Sequence, residues 1–132
     1  MITINTIINK IKNPDDIPKI KEAYNYAENL LEGINRKNND TEINHVLEVT
    51  NILIDLNVDT LTIICALLHS ILDFGEVKED EIINKFGEKT YKIILSLSKI
   101  NNLEMIDDSE SAALYLRKVM VGLAEDVRVL YI

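Results

Sequence analysis

The chain of 132 residues has one cysteine, two prolines, four glycines, two phenylalanines, two histidines and no tryptophan. A lone Cys65 cannot close an intramolecular disulfide, so no covalent staple supports the fold, and the usage fits a reducing, cytoplasmic setting. With so few prolines and glycines, the chain has little to break helices and no Gly-rich phosphate loop. Basic residues are also scarce: 14 Lys and Arg stand against 22 Asp and Glu, a formal net charge of −8. That balance argues against a nucleic-acid partner, which needs clustered cations to displace counterions from phosphates, and leaves room only for a local basic pocket around a small phosphorylated ligand. No apolar run reaches the roughly 18 residues of a membrane span, and "MITINTIINKIKN" lacks the order of a secretion signal.

What is present is a 47% apolar, 27% charged chain of a length suited to one domain with its own core. The apolar residues recur at helical spacing. Ile20, Ala23, Tyr24, Ala27, Leu30, Leu31 and Ile34 mark one face of a helix that Asp16 is placed to cap, with Pro18 tolerated in its first turn. Asp40 or Thr41 opens the next helix, which runs to about Leu56. Asp59 caps another from Thr60 to about Leu72, apolar on every side and therefore expected at the centre. Further helices are predicted over Glu79–Phe86 and Glu88–Ser98, parted by Gly87. A long loop, "KINNLEMIDDSE", precedes a last helix from about Ser109 to Ala124. "EDVRVLYI" then reads as the start of another element, cut through. The expected class is all-α, a helical bundle truncated at its carboxy-terminal end.

The only histidines, His45 and His69, both fall on inward stripes. His45 heads the stripe Val49, Ile52 and Leu56; His69 lies with Leu61, Ile64, Cys65, Leu68 and Leu72. Two readings stand: core histidines satisfied by local hydrogen bonds, or ligands of a metal held between helices, for which neutral imidazole is well suited. Two imidazoles alone make a weak site, since metal centres usually take three or four ligands and hard ions want carboxylates.

Motif order adds a second line of argument. Ala23-Tyr24 and Ala27, then Arg36-Lys37, then His45 nine residues after that arginine, then Ala66-Leu67-Leu68-His69 follow one another at fixed spacing. "EIINKFGEKTYKIILSLSKI" and "LRKVMVGLAEDVRVLYI" continue the series. Together these stretches resemble the HD-type hydrolase domain of the RelA/SpoT family, the enzymes that make and degrade the alarmone ppGpp, from about Asp16 to the last residue.

The resemblance implies a helical HD-type bundle over residues 1–132, the amino-terminal part of a longer protein whose synthetase module follows. It also implies a divalent-metal centre, usually manganese, held by two histidines and two aspartates. His45 and His69 match the two histidines. The aspartate after the second histidine is Ser70 here, and the fourth ligand would fall about four positions beyond Ile132. The family's Glu-Asp pair, thought to position the attacking water, is Asp73-Phe74, so Asp73 is the remaining candidate catalytic carboxylate; beside Phe74-Gly75 it reads more readily as the cap of a helix end. Arg36, Lys37 and Lys99 match cations near the nucleotide pocket, while the family's Ser-Gly after Arg-Lys is Asn38-Asn39. Arg117 and Lys118 match the family's arginine-lysine helix and read as surface charge.

A metal-bound water reaches a pKa near 7 instead of near 16, and a serine hydroxyl neither holds a hard cation well nor offsets its charge. Loss of a water-orienting carboxylate typically costs about 10²–10⁴-fold in rate. The expectation is a weak or inactive hydrolase with metal weakly bound or absent, still able to bind a guanine nucleotide. It would contact a downstream synthetase domain or a second copy. Against this stand an active ppGpp pyrophosphohydrolase and a non-enzymatic interaction module.

Overall fold

The computed structural model describes residues 2–36, 40–74, 76–100 and 109–130. Among them the regular structure is helical: α1 (Ile4–Ile8), a 3-10 turn (Pro14–Asp16), α2 (Ile17–Leu31), α3 (Glu42–Asp55), α4 (Thr60–Leu68), α5 (Ile71–Phe74), α6 (Glu79–Phe86), α7 (Glu88–Ile100) and α8 (Ser109–Leu130). The β pairing among the described residues is one isolated bridge, Asn35 with Thr41. The all-α expectation holds.

The centre is α4, as its unbroken apolar surface predicts. Every residue from Thr62 to Ser70 is buried, and the helix packs on α2, α3, α7 and α8. Leu67, Leu68, Cys65 and Ala66 have no exposed surface. The stripe on α2 also faces inward, with Ile20, Ala23, Ala27 and Leu31 buried. On α3 the stripe led by His45 is only half right. His45 and Val49 are buried, but Ile52 is partly exposed while Val46, Thr50 and Leu53 are fully enclosed, so the core-facing arc is rotated from the one expected.

Local chemistry explains most helix ends. Thr41 Oγ1 accepts the Asn44 backbone N–H at 3.2 Å, and Asp59 Oδ1 accepts that of Thr62 at 2.9 Å, as Ser/Thr/Asp caps do. Gly87 (φ 96°) ends α6 in a conformation that only glycine adopts without strain, and its N–H closes onto Ile83 O at 2.9 Å. Asp16 is a correction: it makes no capping bond, because its backbone is already helical. Asn13 caps the preceding 3-10 turn instead, and Asp16 Oδ2 accepts from the Thr60 hydroxyl at 2.8 Å, tying α2 to the start of α4.

Three further boundaries differ from expectation. The central helix does not run to Leu72: it stops at Leu68, His69 and Ser70 form a turn, and α5 follows. The His69 backbone N–H bonds Ala66 O at 3.4 Å in the tighter i−3 pattern, and the His69 ring nitrogen Nδ1 takes the same carbonyl at 2.6 Å. The side chain therefore competes with the ladder at the place where the helix ends. Helix α7 extends two residues past Ser98, to Ile100. Helix α8 continues through Gly122 and "EDVRV" to Leu130, so these residues prolong one helix instead of opening another; no proline interrupts them, and a single glycine costs only about 1 kcal/mol.

Candidate functional site

Two helices deliver the histidines to one place. His45 lies in the first turn of α3 and His69 just past the end of α4; their ring centroids are 5.9 Å apart with planes at 64°. Both are buried, at 3% and 8% exposure. Each ring is fixed through Nδ1. His69 Nδ1 faces a carbonyl, which only accepts, so it must carry the proton. His45 Nδ1 lies 3.1 Å from Ser109 Oγ, whose own proton goes to Glu48 Oε2 at 2.8 Å. The hydroxyl can then only accept from His45, and Nδ1 is again the protonated nitrogen. Both neutral imidazoles thus hold their lone pair on Nε2, the tautomer in which metal-bound histidines are usually locked by an outer hydrogen bond. Burial lowers the His69 pKa, with the Ala66 carbonyl and the nearby Asp73 working in the opposite direction, so the neutral form prevails.

Carboxylates approach the pair without completing it. Asp73, exposed on α5, accepts from Ser98 Oγ of α7 at 2.6 Å. It is close enough to raise the pKa of both His69 and Glu42. Ser70 is buried at 3% exposure, and Phe74 is 46% exposed. Among the described residues, no group of three or more His, Cys, Asp or Glu side chains is arranged to hold a metal.

The fit to a metal can be judged on these observations. With nitrogen ligands about 2.0–2.1 Å from an ion, each ring centre lies roughly 3.2 Å from it, so 5.9 Å is a separation that two imidazoles on one ion can have. The tautomers suit as well. The donor set as a whole does not suit a hard ion such as manganese, which wants oxygen ligands and charge compensation where the chain offers a serine.

Arg36 enters from the loop between α2 and α3. That loop is pinched by Arg36 N–H to Asp40 O at 2.7 Å and Glu42 N–H to Ile34 O at 2.9 Å. The pinch brings the Arg36 guanidinium onto Glu42: Nη1 donates to Oε1 at 3.0 Å and to Oε2 at 2.9 Å. Glu42 is 3% exposed and Arg36 18%. Arg36 is near enough to His69 to oppose its protonation. The sequence reading placed Arg36 by the pocket but missed Glu42, which looks in the sequence like an ordinary acidic residue of a helix first turn. It also missed the Glu48–Ser109–His45 chain, whose middle member lies more than sixty positions from both ends. Lys37 falls outside the described residues, as does the side chain of Lys99. Arg117 and Lys118 on α8 are exposed and away from the histidines.

Comparison with known proteins gives the arrangement its context. A family model described as "HD domain" matches residues 23–132. The chain belongs to the HD domain family. Within it, this is a RelA/SpoT-family HD domain. It is 27% identical over 130 residues, 98% of its length, to the bifunctional (p)ppGpp synthase/hydrolase SpoT of Escherichia coli K12, of which it spans 18%. It is 34% identical over 113 residues, 86% of its length, to the GTP pyrophosphokinase rsh of Brucella melitensis, of which it spans 15%. The HD domain thus covers less than a fifth of the curated relatives it matches. Among the described residues, no helix is long and apolar enough to cross a membrane.

Proposed function

We propose that this HD domain serves ppGpp metabolism as a nucleotide-binding or regulatory module with little or no hydrolase activity of its own. The observation that carries the reading is the incomplete ligand set: two imidazoles in metal-binding tautomers, 5.9 Å apart, with buried Ser70 beside the second. Phosphoester hydrolysis at neutral pH needs a firmly held ion to make hydroxide. It also needs a group to orient that hydroxide; Phe74 stands beside Asp73 with a ring that can do neither. Arg36 and Lys37 are the residues we assign to the nucleotide phosphates, with Lys99 alongside. A planar guanidinium suits a diphosphate, and its present engagement with Glu42 shows that it already grips a carboxylate in that geometry. The names of the relatives place synthase and hydrolase activity in one chain, and on this reading the module contacts a synthetase domain or a second copy of itself.

The test is pyrophosphate release from ppGpp with added manganese, together with a thermal shift by ppGpp. The reading expects stabilisation by the nucleotide, growing as the logarithm of its concentration, without turnover. Turnover in the ordinary enzymatic range of about 1–10³ s⁻¹ would overturn it in favour of an active hydrolase. Absence of any shift would leave a helical interaction module instead.

A further inference from the structure

A second concave site lies at the other end of the central helix. The nine residues of α4, at 1.5 Å each, put about 13 Å of helix between the His69 end and this cavity at the Thr60 end. The cavity holds about 500 Å³ and is walled by the α3–α4 turn, the start of α4, α7 and the middle of α8. Its floor is aliphatic, with Leu61, Ile93, Met120 and Val121, and no aromatic ring among the described residues lines it. At its rim stand Lys89, Lys92 and Arg117. Lys92 leans on Glu88 at 3.2 Å, whereas Lys89 and Arg117 pair with no carboxylate among the described residues. The acidic residue among the described lining, Asp59, is occupied: its Oδ1 accepts from the Thr62 N–H at 2.9 Å and from the Thr62 hydroxyl. In a chain of net charge −8, three cations gathered on one apolar cavity are a local inversion of the overall field.

We propose that this cavity binds a small amphiphilic anion: an aliphatic chain on the Leu61–Ile93–Met120 floor, with a carboxylate or phosphate monoester head between Lys89 and Arg117. The shape favours such a ligand over a partner helix. A helix with its side chains is about 10–12 Å across, and a cavity of 500 Å³ is only roughly 10 Å in diameter. The lining favours an alkyl chain over a nucleobase, which would seek an aromatic or guanidinium face to stack on. The volume falls within the ordinary range for small-molecule pockets. This site is independent of the histidine pair and of any nucleotide chemistry there.

Of the methionines Met1, Met105 and Met120, the last lines the cavity, so ¹³C-methyl methionine NMR reports on it directly, with Met120→Leu assigning the peak. Decanoate and decyl phosphate, below their micelle concentrations, should shift the Met120 resonance saturably. Response to one anion and not the other identifies the head group. Decanol should bind at least tenfold more weakly, and so should the anions in the Lys89→Glu/Arg117→Glu variant or at high salt. Both substituted side chains are exposed, so the variant should keep wild-type helicity by circular dichroism; a less drastic Lys89→Gln/Arg117→Gln pair serves if it does not. Three results would overturn the proposal: neither anion moves Met120 at millimolar concentration, decanol binds as tightly as decanoate, or the folded charge variants bind unchanged.

Discussion

Glu42→Gln separates what the Arg36–Glu42 pair does for stability from what it does for the site. Geometry alone suggests a costly change, since one guanidinium nitrogen meets both carboxylate oxygens at 2.9–3.0 Å and hydrogen bonds to charged groups are worth about 1.5–3 kcal/mol. The titration of Glu42 points the other way. Burial raises its pKa above 4.5, and the Arg36 charge and hydrogen bond bring it only part of the way back. A buried ion pair whose desolvation outweighs its attraction stabilises little. The desolvation of the buried carboxylate offsets much of what the short distances would contribute. The sign follows from linkage: with the folded pKa raised, the contribution of Glu42 is fully present below pH 4.5 and is lost as pH rises through the folded value. Wild type should therefore lose stability relative to Glu42→Gln as pH climbs above 4.5. Near pH 7 the substitution should cost less than about 1.5 kcal/mol, read by urea denaturation at several pH values. The same change loosens Arg36 from its carboxylate, and ppGpp affinity should rise severalfold, a gain abolished by adding Arg36→Ala. A cost near pH 7 above about 3 kcal/mol, or a wild type that gains on the variant with rising pH, would refute the reasoning.

Two other outcomes are expected. The Cys65 thiol, fully enclosed, is pushed up to about 12 by burial, with Asp59 adding to the rise. An unfolded thiol ionises near 9.0. Cys65 should therefore contribute a loss of about 1.4 kcal/mol per unit as pH rises from 9 to 12, a part of the slope that Cys65→Ala removes in alkaline urea titrations while the raised Tyr24 phenol keeps its own share; an equal slope in the variant would contradict the assignment. Ser70→Asp places an uncompensated carboxylate in a buried position and should cost about 3–5 kcal/mol in chelator. Added manganese should restore that loss and bind at least tenfold more tightly than in wild type by calorimetry, still without pyrophosphate release from ppGpp. Turnover after this one change would show that Phe74 does not limit the chemistry.

The fold was largely legible because its signals are local. An apolar surface on every side of residues 60–68 can only be buried, and caps such as Thr41 and Asp59 act within three residues of themselves. Errors fell where a side chain chose a distant partner over a near one. Asp16 looked like a cap, but its carboxylate goes to Thr60, forty-four positions on. The end of α4 was misplaced because the His69 ring takes the carbonyl of Ala66, which apolar periodicity cannot register. The site shows the same division. That His45 and His69 both face inward follows from helical spacing. That Arg36 is held by Glu42 depends on the pinched loop between them, and that His45 is oriented by Ser109 and Glu48 depends on α8 packing against α3. Neither dependence leaves a trace in either segment alone.

The same contacts explain how the two imidazoles keep their places without acidic companions. A histidine whose orientation came from the ion itself would be left adrift once a ligand changed. Here neither ring depends on one. The Ala66 carbonyl holds His69, a hydroxyl backed by a carboxylate holds His45, and no described buried side-chain polar atom lacks a partner. Since an unsatisfied buried polar group costs about 1–3 kcal/mol, this satisfaction lets both imidazoles stay buried at little cost whether or not an ion is held. Ser70 fits the same account, because a neutral hydroxyl can be enclosed far more cheaply than a carboxylate without its cation. Two buried histidines beside a buried serine are thus a stable combination: the hydrogen bonds that would orient two ligands also serve the core.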